Sequence, residues 1–159
     1  MMRPIEEVVL PYHRRDRDAW NRGDRSLVPS FVDPVVFVKG LPSRHFGEMF
    51  VLRHFHRTEG WEGVSSYALG EELPNSLRKR AGRRKIEAII PAAKLARFRD
   101  LPITYSEARF GAGTPDLFLY DDEGRYRFVE VKIGRDRLRA TQFRRIAKIL
   151  RTLGDVDIV

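Results

Sequence analysis

The chain is 159 residues long, one domain's worth, with no cysteine and no apolar run near the roughly 20 residues that span a bilayer. Disulfide frameworks, Cys-ligated zinc and thiol nucleophiles are therefore excluded, and any chemistry must rest on oxygen and nitrogen groups. Thirty Lys and Arg against 22 Asp and Glu give a net charge of +8, as expected of a globular protein that neutralises a polyanion.

The opening segment, MMRPIEEVVLPYHRRDRD, lacks the apolar stretch of a signal peptide, so an intracellular place, cytoplasmic or nucleoid-associated and with no membrane partner, is expected. We read residues 1–42 as an N-terminal extension of a single domain spanning 1–159, holding a short helix and an extended run at Val35 to Val38. Residues 43 to 59 are predicted helical, opened by Ser43 and closed by Gly60. On that helix Glu48 falls among Val51, Leu52 and Phe55, with Arg53, His54, His56 and Arg57 gathered opposite. His54 and His56 stand two apart and do not share a face, which speaks against zinc; both are expected on the surface or facing nucleic acid.

Residues 71–100 form a basic helical insertion in which Ile86, Ile89 and Ile90 keep helical spacing and Pro91 splits it into two helices. A strand from Ile103 to Tyr105 is expected to lead into a Gly-rich turn. A β-hairpin follows, with arms Leu117 to Tyr120 and Arg125 to Ile133 around a turn at Asp121 to Gly124. Leu138 to Leu153 reads as a helix with Gln142, Ile146, Ile149 and Leu153 on one side. Arg144, Arg145, Lys148 and Arg151 are expected mostly away from it, and Val156 to Val159 as a last strand.

The chemistry concentrates in the hairpin. Phe128, Glu130 and Lys132 alternate onto one strand face while Val129, Val131 and Ile133 fill the other, so an acid and an amine share a side. Alone, such a pair is an ordinary solvated one. With Asp116 brought in from the preceding strand, it supplies what metal-assisted hydrolysis of a phosphodiester needs: oxygen ligands for a hard divalent cation, and a positive charge near the attacked phosphate.

Gly113-x-Pro115-Asp116, then Glu130-Val131-Lys132, then Gly134-x-Asp136-x-Leu138 and Gln142 at the head of a helix resemble the VRR-NUC domain of the PD-(D/E)xK nuclease superfamily. Glu48, in Gly47-Glu48-Met49-Phe50, looks like that family's helix glutamate. Arg139 departs from the small or capping residue usual there, which leaves Asp136 as the expected helix cap. The resemblance implies an α/β fold with a restriction-endonuclease-like core, a small mixed sheet flanked by the Glu48 helix and the C-terminal helix.

It also implies Mg²⁺ or Mn²⁺ held by Asp116, Glu130 and Glu48, with the Val131 carbonyl as a further ligand. Lys132 would orient the attacking water or stabilise the transition state, and Gln142 would position the nucleophile or a metal-bound water. Arg78, Lys79, Arg80, Arg83, Arg84, Lys85, Arg135 and Arg137 are the expected phosphate contacts, giving affinity without sequence readout. The favoured expectation is a homodimeric endonuclease acting on DNA by its branched structure, such as a junction or flap. The alternatives are a restriction-like or RNA-directed nuclease with the same centre, and a catalytically inert nucleic-acid-binding module.

Overall fold

The computed structural model describes residues 5–32, 43–70, 76–102 and 111–159. The expected extended run at Val35 to Val38 and the expected strand at Ile103 to Tyr105 lie outside the described residues. Among the described residues are strands β1 (Glu6–Glu7), β2 (Glu62–Val64), β3 (Leu117–Tyr120), β4 (Tyr126–Glu130) and β5 (Val156–Ile158). The helices are α1 (Arg14–Asn21), α2 (Phe46–Glu59), α3 (Leu77–Ile89), α4 (Ala92–Asp100) and α5 (Ala140–Thr152).

The strands form one mixed sheet in the order β1-β5-β4-β3-β2. β3 and β4 are the expected hairpin, antiparallel with Leu117 opposite Val129 and Phe118 opposite Phe128. Its turn is fastened by the Asp121 carboxylate, which accepts hydrogen bonds from the backbone N–H groups of Glu123 and Arg125 at 3.0 and 2.9 Å. β5 then runs parallel to β4, an arrangement that needs a crossover, and α5 is that crossover.

Strand alternation sorts the core into two layers. Leu117, Leu119 and Val129 pack with Trp20 of α1 and with Met49, Leu52 and Phe55 of α2. Phe118, Phe128 and Val156 face the other way, onto Ile86 and Ile90, Leu95 and Phe98 of α4, and Ile146 and Ile149 of α5. The protein is thus an α/β sandwich with the Glu48 helix and the C-terminal helix on opposite faces, a restriction-endonuclease-like arrangement. The basic segment, broken at Pro91 as its sequence predicts, supplies part of the second layer.

Several boundaries differ from expectation. α2 begins at Phe46 rather than Ser43, because His45 takes a left-handed conformation, φ 68°, that stops the helix there. Its C-terminal end at Gly60, φ 76°, is as expected. β4 closes at Glu130, yet Lys132 N–H still donates to the Val159 carbonyl at 2.8 Å, so the extended path and its alternation continue past the strand's end.

α5 starts at Ala140, and Asp136 is not its cap: the Asp136 carboxylate accepts from Arg137 N–H at 3.0 Å, three residues short of the helix. Gln142 reaches back instead and accepts from Arg139 N–H at 2.8 Å. Arg145 and Lys148 depart from the expected outward face. Both are buried, with their charged ends 4.9 and 4.3 Å from the centre of the Phe98 ring, because α4 packs across that side of α5. The sequence pattern predicts neither β1 nor β2, because each is too short to carry a period.

Candidate active site

The hairpin register brings the first two acids together. With Leu117 opposite Val129, the next residues outward are Asp116 and Glu130, facing each other on the side that carries Phe118 and Phe128. Asp116 Oδ2 accepts a hydrogen bond from Val131 N–H at 2.8 Å, which ties the two motifs at the hairpin's open end.

Two glycines set the remaining pieces. A Cβ at Gly47 would stand 2.5 Å from Ile133 Cδ1 and 3.1 Å from Val131 Cγ1, so glycine lets the first turn of α2 press its Glu48 against the end of β4 without displacing the Ile133 side chain. Gly113, at φ 79°, lies against the first turn of α5; a Cβ there would collide with the Thr141 carbonyl. The turn that delivers Asp116 is therefore locked to the turn that delivers Gln142.

The result is a cleft of about 360 Å³ whose walls include Glu48, Asp116, Glu130, Val131, Lys132 and Gln142. Glu130 is only 1 % exposed. Its Oε1 receives Lys132 Nζ at 2.8 Å and is also bonded by Gln142 Nε2, while Gln142 Oε1 accepts from Lys132 Nζ at 3.2 Å. Glu130 Oε2 is buried with no hydrogen-bond partner among the described residues. His45 Nδ1 lies 2.5 Å from Glu48 Oε2, and Lys132 Nζ lies 3.8 Å from Asp136 Oδ2.

The electrostatics of these acids are strained. Burial raises the Asp116 carboxyl to about 6, with the Glu48 charge adding to it and the Val131 N–H and Lys132 opposing it. Burial likewise raises Glu130 to about 7, reinforced by the charge of Asp116 and opposed by Lys132. The Glu48 carboxylate, through its hydrogen bond, holds the His45 imidazole above its usual range.

A hard divalent cation fits this donor set. Two buried, raised carboxylates, Asp116 pushed up further by Glu48 and Glu130 by Asp116, and an orphaned carboxylate oxygen are relieved by a positive ion among them. Among the described residues no three acidic or histidine side chains close into a preformed cage, so an ion there would complete its shell with water and backbone oxygen, as magnesium commonly does.

Residues 62–159 match the VRR-NUC domain. The chain belongs to that family. It carries a VRR-NUC nuclease domain, and the match includes Asp116, Glu130, Lys132 and Gln142 together with the whole of α3 and α4. Glu48 and α2 precede the matched span of the VRR-NUC domain, so geometry alone joins Glu48 to the cleft. No curated protein and no solved structure matches the chain.

The expected phosphate contacts divide. Arg135 and Arg137 are exposed on the loop between the cleft residues Lys132 and Gln142, and the charge of Arg78 is felt at His45. Arg80 and Arg84 are exposed along α3. Arg83 is engaged within the VRR-NUC domain, with Glu87 at 3.1 Å. Lys85 stands 5.0 Å from the ring of Tyr120, at the far end of β3 from Asp116. His56 bonds the Trp61 carbonyl at 3.0 Å rather than facing outward. Sequence reasoning missed Arg17, His45 and Arg139, all of which line the cleft. Arg17 and His45 carry no motif, and Arg139 reads only as a departure from one. Among the described residues no helix is long and apolar enough to cross a membrane.

Proposed function

We propose that this VRR-NUC protein is a metal-dependent endonuclease that hydrolyses DNA phosphodiesters at branched structures such as junctions or flaps. The observation that carries the reading is Glu130: a buried carboxylate with one oxygen unpartnered, beside a second raised acid and a lysine. A purely structural carboxylate would have its second oxygen satisfied.

Asp116, Glu130, Glu48 and the Val131 carbonyl would hold Mg²⁺ or Mn²⁺. The bound cation would polarise the phosphate and lower the pKa of the attacking water. Lys132 sets its ammonium at the same cleft, where it stabilises negative charge that grows on the phosphate as the water adds. Gln142 holds Lys132 and Glu130 in one relative orientation through its amide. The exposed Arg135 and Arg137, with the basic α3, draw in the polyanion without reading bases. A homodimer would give the two centres that paired cuts across a junction require, and a DNA substrate fits a cytoplasmic or nucleoid setting.

The test is a panel of labelled four-way junction, flap, linear duplex and RNA substrates with Mg²⁺ or Mn²⁺, and Lys132→Ala as control. Cutting confined to branched DNA and lost in Lys132→Ala, with folding and DNA binding kept, is the expected result. Equal cutting of linear duplex or RNA would overturn the branch selectivity, and full activity in the variant would overturn the mechanism.

A further inference from the structure

Asp116 has a second side. A separate pocket of about 210 Å³ opens there, lined by Ser65, Ser66, Lys79, Thr114 and Asp116, the last of which also lines the main cleft. Its walls come from three stretches of chain that the fold fixes against one another. Tyr67 Oη donates to the Pro115 carbonyl at 2.5 Å in the interior. Gly82 of α3 sits so close to the Ser66 carbonyl that a Cβ would collide with it. Lys79 and Gly82 are three residues apart on that helix, hence on one face, so the same contact presents Lys79 to the pocket.

The chemistry of the walls is that of an anion site. Thr114 Oγ1 is buried with no hydrogen-bond partner among the described residues. A buried hydroxyl without a partner is costly, so a ligand that pairs with it is favoured here. Lys79 is part-exposed, and its ammonium has no hydrogen bond or ion pair among the described residues. Two serines, a threonine and a lysine, all able to donate, line the pocket, and the one acid on its rim is the one shared with the cleft.

We infer that this pocket is a phosphate subsite: it binds the backbone phosphate next to the one held at the cleft, with Thr114 and Lys79 donating and Ser65 and Ser66 completing the shell. The inference rests on the nuclease reading for the path of the strand, because a strand crossing Asp116 leads from one pocket to the other. It goes beyond a basic face in naming a neutral, buried hydroxyl as a contact.

The experiment reads binding rather than cutting: fluorescence anisotropy of a labelled duplex in EDTA over a salt series. Thr114→Val, nearly isosteric and charge-neutral, is expected to weaken binding about tenfold while Thr114→Ser binds as the native protein. Lys79→Ala is expected to reduce the salt slope by about one, and the double variant to bind more tightly than the product of the two single losses predicts. Native affinity in a folded Thr114→Val, or losses that simply multiply, would overturn the subsite. Should Thr114→Val fail to fold, Ser66→Ala combined with Lys79→Ala reads the same coupling. Thr114-dependent binding in a protein that cuts nothing would end the nuclease reading and leave the subsite standing; cutting with Thr114-independent binding would do the reverse.

Discussion

His45 Nδ1 meets Glu48 Oε2 at 2.5 Å, and His45 does so from a left-handed backbone conformation at the head of α2. A left-handed residue with a side chain costs roughly 1–2 kcal/mol, so the fold retains a local strain that aims an imidazole at a cleft carboxylate. We expect His45→Gly to relieve the backbone and leave the melting temperature close to native. Divalent-metal affinity should fall about tenfold, as when a residue that orients a ligand is lost. Calorimetric titration with Mn²⁺ checks this; native affinity in the variant would remove His45 from any orienting role.

The raised carboxyls predict an unusual pH dependence for the metal-free protein. Asp116 near 6 and Glu130 near 7 both lie above their unfolded values, so over that window the folded state holds protons that the unfolded state has released. Stability is therefore greatest at low pH in this window and falls as pH rises from about 4 to about 7, flattening above. His45, raised from its ordinary 6.5, adds a loss of the same sign that begins near pH 6.5 and runs above the window of the two carboxyls. Melting in EDTA should be higher at pH 5 than at pH 8, and Glu130→Gln should flatten the difference. A melting temperature that rises over this range would contradict the burial of these acids.

Metal should reverse that loss. An ion bound only to the folded state at a hundred times its Kd adds about 2.7 kcal/mol, so Mg²⁺ at pH 8 is expected to raise the melting temperature by several degrees. Ca²⁺, another oxygen-seeking cation, should also stabilise. The rise should be absent in Asp116→Asn/Glu130→Gln. An equal rise in that double variant would place the ion elsewhere.

Gln142 carries two tasks through one amide: its oxygen accepts from Arg139 N–H and Lys132 Nζ, and its nitrogen bonds Glu130. Gln142→Ala should cost about 1 kcal/mol from the lost cap and, separately, ten- to a hundredfold in kcat on a cleavable substrate. Urea denaturation and single-turnover cutting read the two losses independently. A stability loss with unchanged kcat would confine Gln142 to the helix start.

Gly113→Ala tests whether the Asp116 turn is locked to α5. A Cβ at φ 79° facing the Thr141 carbonyl should destabilise the fold by well over 1 kcal/mol, seen as a lowered urea midpoint with an unchanged slope. Gly124→Ala, also at positive φ but with open space around it, should cost less. Equal losses would mean that backbone conformation, not the contact, governs both.

Local pattern alone determined a good part of this protein. Alternation from Phe128 to Ile133, the turn at Asp121 to Gly124, the break at Pro91 and the stop at Gly60 each depend on a few consecutive residues, and each is found where the sequence put it. The spacing of Asp116, Glu130, Lys132 and Gln142 fits a hairpin followed by a helix for the same reason, so their meeting in one cleft was legible.

Tertiary structure decided the rest, because those outcomes depend on what packs from elsewhere in the chain. Arg145 and Lys148 read as solvent-facing until α4 lies across α5 and buries them on Phe98. β1 and β2 are strands only because β5 and β3 offer them edges. His45 and Arg17 reach the cleft from segments that carry no motif, and the Thr114 hydroxyl becomes an orphan only once the protein has closed around it. A short segment can specify its own periodicity and turns, but burial and unmet hydrogen bonds belong to the assembled interior.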